Sequence, residues 1–263
     1  MPERKKTSPA GKKKPEIIAK IDKLAASLAL KIKRGIKPSL FYPIRSLSNV
    51  EYKPRTGYFK LLGKQSERSL SYNTVKTFAQ SIRMIAEAKK IVETNDIASK
   101  REMYYVAKGD WGECKFSEQS ESDSVMDDVE AMFETNREQL GFIPEEKGGD
   151  IAGKLTVIDT DKTTGKPLRI DCTKFGSGAY SIPSTVEHLQ FETKAKFILV
   201  VETSALFQRL VHHSYWKKAN CILVAMGGVP TRACRRFIRR LADAKKLPVY
   251  VFTDGDPYGY GNI

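Results

Sequence analysis

From residue 195 the chain alternates between two kinds of segment, and that alternation restricts its fold more than any other feature. "AKFILVVE", "NCILVAMGGVP" and "LPVYVFTDGD" are short, nearly unbroken apolar runs. Between them stand "TSALFQRLVHHSYWKKA" and "TRACRRFIRRLADAKK", which read as helices. A strand that is apolar on both sides has to be covered on both faces. Strand, helix, strand, helix, strand therefore predicts an α/β unit with a parallel sheet, its strands aligned by right-handed crossovers. In such a sheet functional groups gather at the carboxyl ends of the strands.

Three acidic residues fall at that edge. Glu202 ends the first run, and Asp254 and Asp256 stand just past the third. Brought together, they repel one another unless a cation lies among them. A few hard oxygen donors, with room left for waters and phosphate oxygens, suit Mg²⁺. A D-x-D at a strand end also serves to cap a helix or tie down a turn; the glutamate at an equivalent strand end is what favours a metal. His212 and His213 lie beyond the middle of a helix and read as solvated surface. In "TRACRRFIRRLADAKK", Cys234, Phe237, Ile238 and Leu241 form one apolar stripe, and Arg232, Arg235, Arg236, Arg239 and Arg240 occupy the other faces. Surface solvation accounts for some of these, but five arginines within nine residues exceed what solubility requires. Guanidinium forks match phosphate oxygens.

Charge points the same way. The formal net charge is +14, unevenly placed: residues 1–60 hold 16 Lys and Arg against 4 Asp and Glu, and residues 208–247 hold 10 against 1. Residues 113–138 reverse the balance, with 9 acidic against 2 basic. Segregated basic charge suits a polyanion such as nucleic acid. No apolar run reaches membrane-spanning length, and the basic start "MPERKKTSPAGKKK" lacks the apolar core of a secretory signal. Four scattered cysteines, none in a C-x-x-C pair, argue against a disulfide framework or zinc site and fit a reducing, cytoplasmic setting.

Ahead of the α/β unit, residues 1–14 are expected to lack stable structure. "EIIAKIDKLAASLALKIKRG" has helical spacing through Ile17, Ile21, Leu24, Leu28 and Ile32, and residues 35–68 read as irregular or short-stranded. A second helix carries Val75, Phe78, Ile82 and Ile85 on one stripe. In "SKREMYYVAKG", Ser99 and Glu102 have the capping-box spacing. The acidic stretch supplies another helix through Val125, Val129, Met132 and Phe133. "IAGKLTVIDTDKTTGKPLRIDC" then reads as two strands around a Thr-Gly turn. Helices followed by a hairpin are the ingredients of a winged helix, a fold that often binds duplex DNA. The predicted organisation is a basic arm and helix over 1–68, a winged-helix domain over 69–150, wing strands and a connector over 151–194, and the sheet unit over 195–263. On a helix Tyr104 and Tyr105 diverge by about 100°, so one can pack while the other is exposed. Packing alone explains such a pair, and tyrosine is a poor nucleophile without a cation to stabilise its phenolate. Arg101 lies one turn before Tyr105, near enough to contact the same phosphate.

"REMYYVAKG", "FSEQSESDSVMDDVEAMF", "AGKLTVID", "IDCTKFGSGAYSIP", "VVETSALFQRL" and "VFTDGDPYGYGNI", in that order, resemble the A subunits of archaeal type IIB DNA topoisomerases. The same family includes the transesterase that initiates meiotic recombination. The resemblance runs from about residue 70 to the end. It implies an α/β plus winged-helix architecture: an N-terminal winged-helix DNA-binding domain, then a Toprim domain with a parallel sheet. Tyr105 matches the tyrosine that attacks a phosphodiester to give a 5′-phosphotyrosyl link. Glu202, Asp254 and Asp256 match the Mg²⁺-holding carboxylates; Thr203 stands where many relatives carry lysine. The resemblance further implies a homodimer of A subunits cutting duplex DNA, each half-site drawing tyrosine and metal from opposite protomers. ATP is used by a separate B subunit, giving an A2B2 heterotetramer associated with the nucleoid, and no nucleotide-binding G-x-x-x-x-G-K-[ST] loop occurs here. A recombination-type transesterase, and a non-catalytic winged-helix DNA-binding protein using the basic arm, are the alternatives. Family members continue beyond "GDPYGYGNI", so the Toprim domain is expected to be C-terminally truncated, with a sheet edge uncovered. The acidic helix belongs to the family pattern, although its charge is unexpected on a DNA-binding surface.

Overall fold

The computed structural model describes residues 9–53, 58–143 and 148–261, and the chain divides into two compact units, Met1–Glu145 and Glu146–Ile263. In the first, helix α1 (Pro9–Lys33) starts earlier than expected. Residues 9–14, grouped above with an unstructured tail, are helical; Pro9 fits the first helical position, and Ala and Lys propagate a helix well. The rest of that expectation, residues 1–8, lies outside the described residues. Ile17, Ile21 and Leu28 are buried. Ile32 lies beyond the point where Leu28 meets Leu40 and Phe78, and it is exposed.

Short strands follow, as the proline- and glycine-bearing stretch suggested. They are β1 (Ser39–Pro43), β2 (Val50–Lys53), β3 (Tyr58–Leu61) and β4 (Gln65–Ser69), with β1 antiparallel to β4 and β2 to β3. Helix α2 (Val75–Thr94) buries Phe78, Met84, Ile85, Ala88 and Val92. Val75, in its first turn, is exposed instead of joining the stripe. After β5 (Ala98–Ser99) come α3 (Lys100–Asp110), the acidic α4 (Gln119–Met132) and β6 (Phe142–Ile143), which pairs with β5 in parallel. Met84, Met103, Trp111, Met126 and Phe142 lie in one core.

The charge of α4 is turned inward on its own unit. Asp128 accepts from Arg45 and Arg68 at 2.9 Å each, and Asp127 from Arg45 and Arg137, again at 2.9 Å. Lys100 at the start of α3 pairs with Asp123 at 2.5 Å. The acidic helix is thus the counter-charge for basic residues of β4, α3 and nearby loops, which supplies the physical account the sequence withheld.

The second unit opens with β7 (Asp150–Gly153), β8 (Leu155–Thr160), β9 (Pro167–Asp171), β10 (Tyr180–Ser181) and β11 (Gln190–Thr193). The expected alternation follows: β12 (Phe197–Val201), α5 (Ser204–His212), α6 (Tyr215–Ala219), β13 (Cys221–Ala225), α7 (Arg232–Lys245), β14 (Val249–Phe252) and α8 (Pro257–Gly261). Strands β12, β13 and β14 are parallel, with Ile198 opposite both Ile222 and Val249. The full sheet has the order β10-β7-β13-β12-β14, with β7 antiparallel to β13. One face packs on Cys234, Phe237 and Leu241 of α7, the other on Phe207 of α5. Strand β14 is an edge, and its Tyr250 and Phe252 are exposed.

The hairpin β8–β9 is placed differently from the wing expected of it. It belongs to the second unit, where β8 pairs with β11 on its other side. The reason is apolar contact: Leu155, Val157 and Phe191 share a core with α7, and the rings of Phe191 and Phe237 meet edge to face at 4.9 Å. Burial in this unit pushes the thiols of Cys172, Cys221 and Cys234 up to about 12, 11 and 11 respectively, so they stay protonated at neutral pH.

Candidate active site

Helix α3 opens with the capping box its sequence announced. Ser99 Oγ accepts from the Glu102 amide at 3.0 Å, and Glu102 Oε2 accepts from the Ser99 amide at 3.2 Å. Met103 and Ala107 anchor the helix in the core. The two tyrosines then differ in exposure, although their rings stay in contact with centroids 5.5 Å apart. Tyr104 packs against the core and its hydroxyl donates to the Ser117 carbonyl at 3.2 Å. Tyr105 is 53% exposed. Arg101 Nε donates to the Tyr105 hydroxyl at 3.2 Å, and its guanidinium carbon lies 5.7 Å from the ring centroid. A cation therefore touches the phenol oxygen of the more exposed tyrosine, where a phosphate can approach.

The carboxylates sit where the sheet puts them. Glu202 follows β12, and its own amide donates to the Phe252 carbonyl at 3.0 Å. Its carbonyl accepts from Gly228 at 3.0 Å, and its Oε2 accepts from the Asp254 amide at 3.1 Å. One residue thus ties together the ends of all three parallel strands. Asp254 is exposed beside it. Asp256 is held apart: its Oδ1 accepts from the Gly259 amide at 2.7 Å and caps α8. Gly259 is required there, since a Cβ would lie 2.5 Å from the Asp254 carbonyl oxygen.

Among the described residues no three His, Cys, Asp or Glu side chains stand close enough to share an ion. The three acids expected to converge share one sheet edge, but the capping bond keeps Asp256 out of a common cluster. The edge nevertheless fits a hard cation in its chemistry. All its donors are oxygens, Asp254 and Asp256 face solvent, and Glu202 is half-buried at the strand end. Glu202 and Asp254 are the pair that would hold the ion, and Asp256 would have to leave its cap to join them. His212 and His213 are exposed at the opposite end of α5.

The capping role can be isolated. Asp256→Asn keeps a side-chain acceptor for the Gly259 amide, whereas Asp256→Ala loses it. Hydrogen-exchange protection of that amide is expected to fall about fivefold in the alanine variant, equivalent to about 1 kcal/mol for a lost cap, and to change little in the asparagine variant. Equal loss in both would show that the charge, not the cap, holds the turn.

Helix α7 starts at Thr231, whose Oγ1 accepts from the Cys234 amide at 3.2 Å. Its arginines divide. Arg236 pairs with Glu187, and Arg239 with Asp243 at 2.8 Å. Arg240 donates to the Glu187 and Leu189 carbonyls at 2.7 and 3.0 Å, and burial, with Arg236 nearby, lowers its pKa from the usual arginine value. Arg232 and Arg235 line a cleft of about 590 Å³ at the carboxyl end of β13, together with Asp150, Ser204, Val229 and Thr231. Of the five arginines expected to meet phosphates, Arg232 and Arg235 line this cleft, while Arg236 and Arg239 engage carboxylates and Arg240 engages backbone carbonyls. Asp150 escaped the sequence reading because β7 is only four residues long. Its one signal is Gly149, where a Cβ would lie 2.4 Å from the Ala225 carbonyl oxygen and forbid the close approach of β7 to β13.

Three family descriptions match successive segments. They are "Type IIB DNA topoisomerase" over residues 76–142, "All-beta domain in DNA topoisomerase VI alpha subunit" over 145–195, and, over 197–263, the Toprim domain shared by Spo11 with the topoisomerase 6 A subunit. The type 2 DNA topoisomerase 6 A subunit of Methanocaldococcus jannaschii is 49% identical over 257 residues, 97% of this chain and 69% of its own. The chain belongs to the topoisomerase 6 A-subunit family. The corresponding protein of Pyrococcus abyssi is 36% identical over 250 residues, covering 93% of this chain and 64% of its own. That of Methanosarcina barkeri is 34% identical over 247 residues, covering 92% and 66%. The chain thus spans about two thirds of the length of these topoisomerase subunits. Within the family frame, β8 and β9 fall in the all-β segment and not among the helices, in agreement with their packing, and β12 opens the Toprim segment. Tyr105 lies inside the type IIB segment, and Glu202, Asp254 and Asp256 inside the Toprim segment.

Proposed function

We propose that this chain is the DNA-cleaving and resealing A subunit of an ATP-dependent type IIB topoisomerase. The observation that carries the reading is a half-exposed Tyr105 with Arg101 on its oxygen, within the segment matched by the type IIB description. The Tyr105 oxygen attacks a DNA phosphorus; the new P–O bond replaces the bond to the 3′ oxygen, which leaves and takes up a proton. The break is stored as a 5′-phosphotyrosyl ester, and reversal reseals it without loss of bond energy. Arg101 steadies the phosphate under attack, and Arg232 and Arg235 bind phosphates further along the strand. Glu202 and Asp254, with Asp256 once released from its cap, would hold a Mg²⁺, which would supply charge stabilisation at the phosphate.

The helical unit serves as the winged-helix DNA-binding domain. Two copies of the chain cut the two strands, each half-site combining tyrosine and carboxylates from opposite protomers. A separate B subunit uses ATP to drive passage of a second duplex, in an A2B2 assembly acting on cytoplasmic, nucleoid DNA. No helix among the described residues is long and apolar enough to cross a membrane.

The test is to purify the protein together with its B subunit, incubate the pair with supercoiled plasmid, Mg²⁺ and ATP, then denature with detergent. Protein joined to DNA 5′ ends, abolished by EDTA, together with relaxation of untrapped plasmid, is the expected result. Adducts without relaxation would indicate a transesterase that does not reseal. Duplex binding with neither would leave only the DNA-binding role.

A further inference from the structure

Helix α3 carries a second cation on the face that presents Tyr105. Arg101, Tyr105 and Lys108 stand at i, i+4 and i+7, which puts them on one stripe, and all three are exposed. Lys108 follows Tyr105 by about 4.5 Å along the helix axis. Helical side chains lean toward the N-terminus, which carries Tyr105 back over Arg101 and Lys108 back over Tyr104. The contacts agree: Arg101 Nε donates to the Tyr105 hydroxyl at 3.2 Å, and Lys108 Nζ lies 5.6 Å from the Tyr104 ring centroid. Tyr104 is itself fixed, by core packing and by its hydroxyl's bond to the Ser117 carbonyl, and its ring touches that of Tyr105. The Lys108 ammonium is therefore held over the tyrosine pair by a cation–π contact.

That contact does not neutralise the charge, because the ring carries none. Lys108 makes no hydrogen bond or ion pair with any described residue, so its three N–H donors are open to an anion from outside the protein. A cation in the last turn of a helix also offsets the helix dipole. A charge anywhere around that turn would do so, and the dipole gives no reason for the stripe of Tyr105. The phosphates of a DNA strand form a row, so a helix face that brings one of them to Tyr105 brings a neighbour to the next turn. We propose that Lys108 is a positioning residue that binds a phosphate adjoining the scissile one, so that the strand is held on both sides of the attacking phenol, by Arg101 and by Lys108. This rests on the DNA-cleaving reading above.

The substrate for the test is a short duplex carrying one mapped cleavage site. Covalent adducts formed by the protein assembled with its B subunit, Mg²⁺ and ATP are followed against DNA concentration. In Lys108→Ala the half-saturating concentration is expected to rise about fivefold, as for loss of one exposed charge pair, with little change in the maximal rate. The slope of log affinity against log salt should become shallower by about 0.9, the value for one phosphate contact. Lys108→Arg keeps the charge and should restore both. The decisive arm replaces the phosphates around the cut, one at a time, by neutral methylphosphonates. One phosphate adjoining the cut is expected to matter to the unaltered protein and to lose its effect in Lys108→Ala, while the penalties at other positions persist. Identical penalties at every position in both proteins, or an unchanged salt slope in Lys108→Ala, would overturn the assignment. So would a lower denaturation midpoint with unchanged DNA dependence, which would leave Lys108 with the helix dipole alone. If the unaltered protein forms no adducts at all, the DNA-cleaving reading falls first and takes this one with it.

Discussion

Tyr105→Phe is expected to eliminate covalent protein–DNA adducts while leaving the fold and duplex binding intact. The substitution removes one oxygen, the atom proposed to attack, and leaves the ring in place. That oxygen is engaged by Arg101 at the surface, so its loss should alter stability by no more than about 0.5 kcal/mol. Tyr104→Phe is the informative counterpart. It deletes the bond to the Ser117 carbonyl, worth about 1 kcal/mol, and retains the neighbouring hydroxyl. Stability should fall modestly and adducts should persist. Detergent-trapped adducts measured on Mg²⁺-treated plasmid, beside thermal denaturation, separate the two. Adducts surviving in Tyr105→Phe, or vanishing in a folded Tyr104→Phe, would relocate the nucleophile.

That contrast was legible in the sequence because it depends on one helix. Helical geometry alone makes Tyr105 more exposed than Tyr104, and the Ser99–Glu102 spacing alone fixes where α3 begins. The three parallel strands were legible for a similar reason: continuous apolar runs admit few other uses, and placing Glu202 and Asp254 at one edge follows from strand direction. What stayed hidden depends on partners distant in the chain. Nothing local in "GGDIAG" says that β7 will join the sheet on β13, or that Asp150 will stand in the α7 cleft. Arg236 and Arg240 looked like phosphate ligands because Glu187 and the carbonyls they engage lie in a loop that sequence spacing does not connect to α7. The β8–β9 hairpin was assigned to the helices because hairpins follow helices in a winged helix. Its side chains instead found α7, and tertiary burial decided the matter. Asp256 had two readings open from the start, and the capping one is present in the structure.

The acidic helix yields the largest expected effect on stability. Asp128 joins Arg45 and Arg68, and Arg68 also donates to Ser81 at 2.8 Å, so β4, α2 and α4 are linked through one carboxylate. The side chains of Asp128 and Arg68 are only 11% and 15% exposed, which limits screening by solvent and salt. Asp128→Ala leaves the Arg68 guanidinium shielded from water without its counter-ion, at a cost of about 3–5 kcal/mol. That is a large part of the 5–15 kcal/mol, roughly, that holds a domain folded. Urea denaturation measures it. Glu16→Ala, which breaks the exposed Glu16–Lys20 pair, is the reference and should cost about 0.3 kcal/mol. Because the penalty arises from an orphaned charge, combining Asp128→Ala with Arg68→Ala should cost less than the sum of the two single changes. In 1 M salt the Asp128 effect should largely remain while the Glu16 effect disappears. If Asp128→Ala moved the midpoint no further than Glu16→Ala, the carboxylates of α4 would not be fastening this unit together, and their excess charge would have to answer to something outside it.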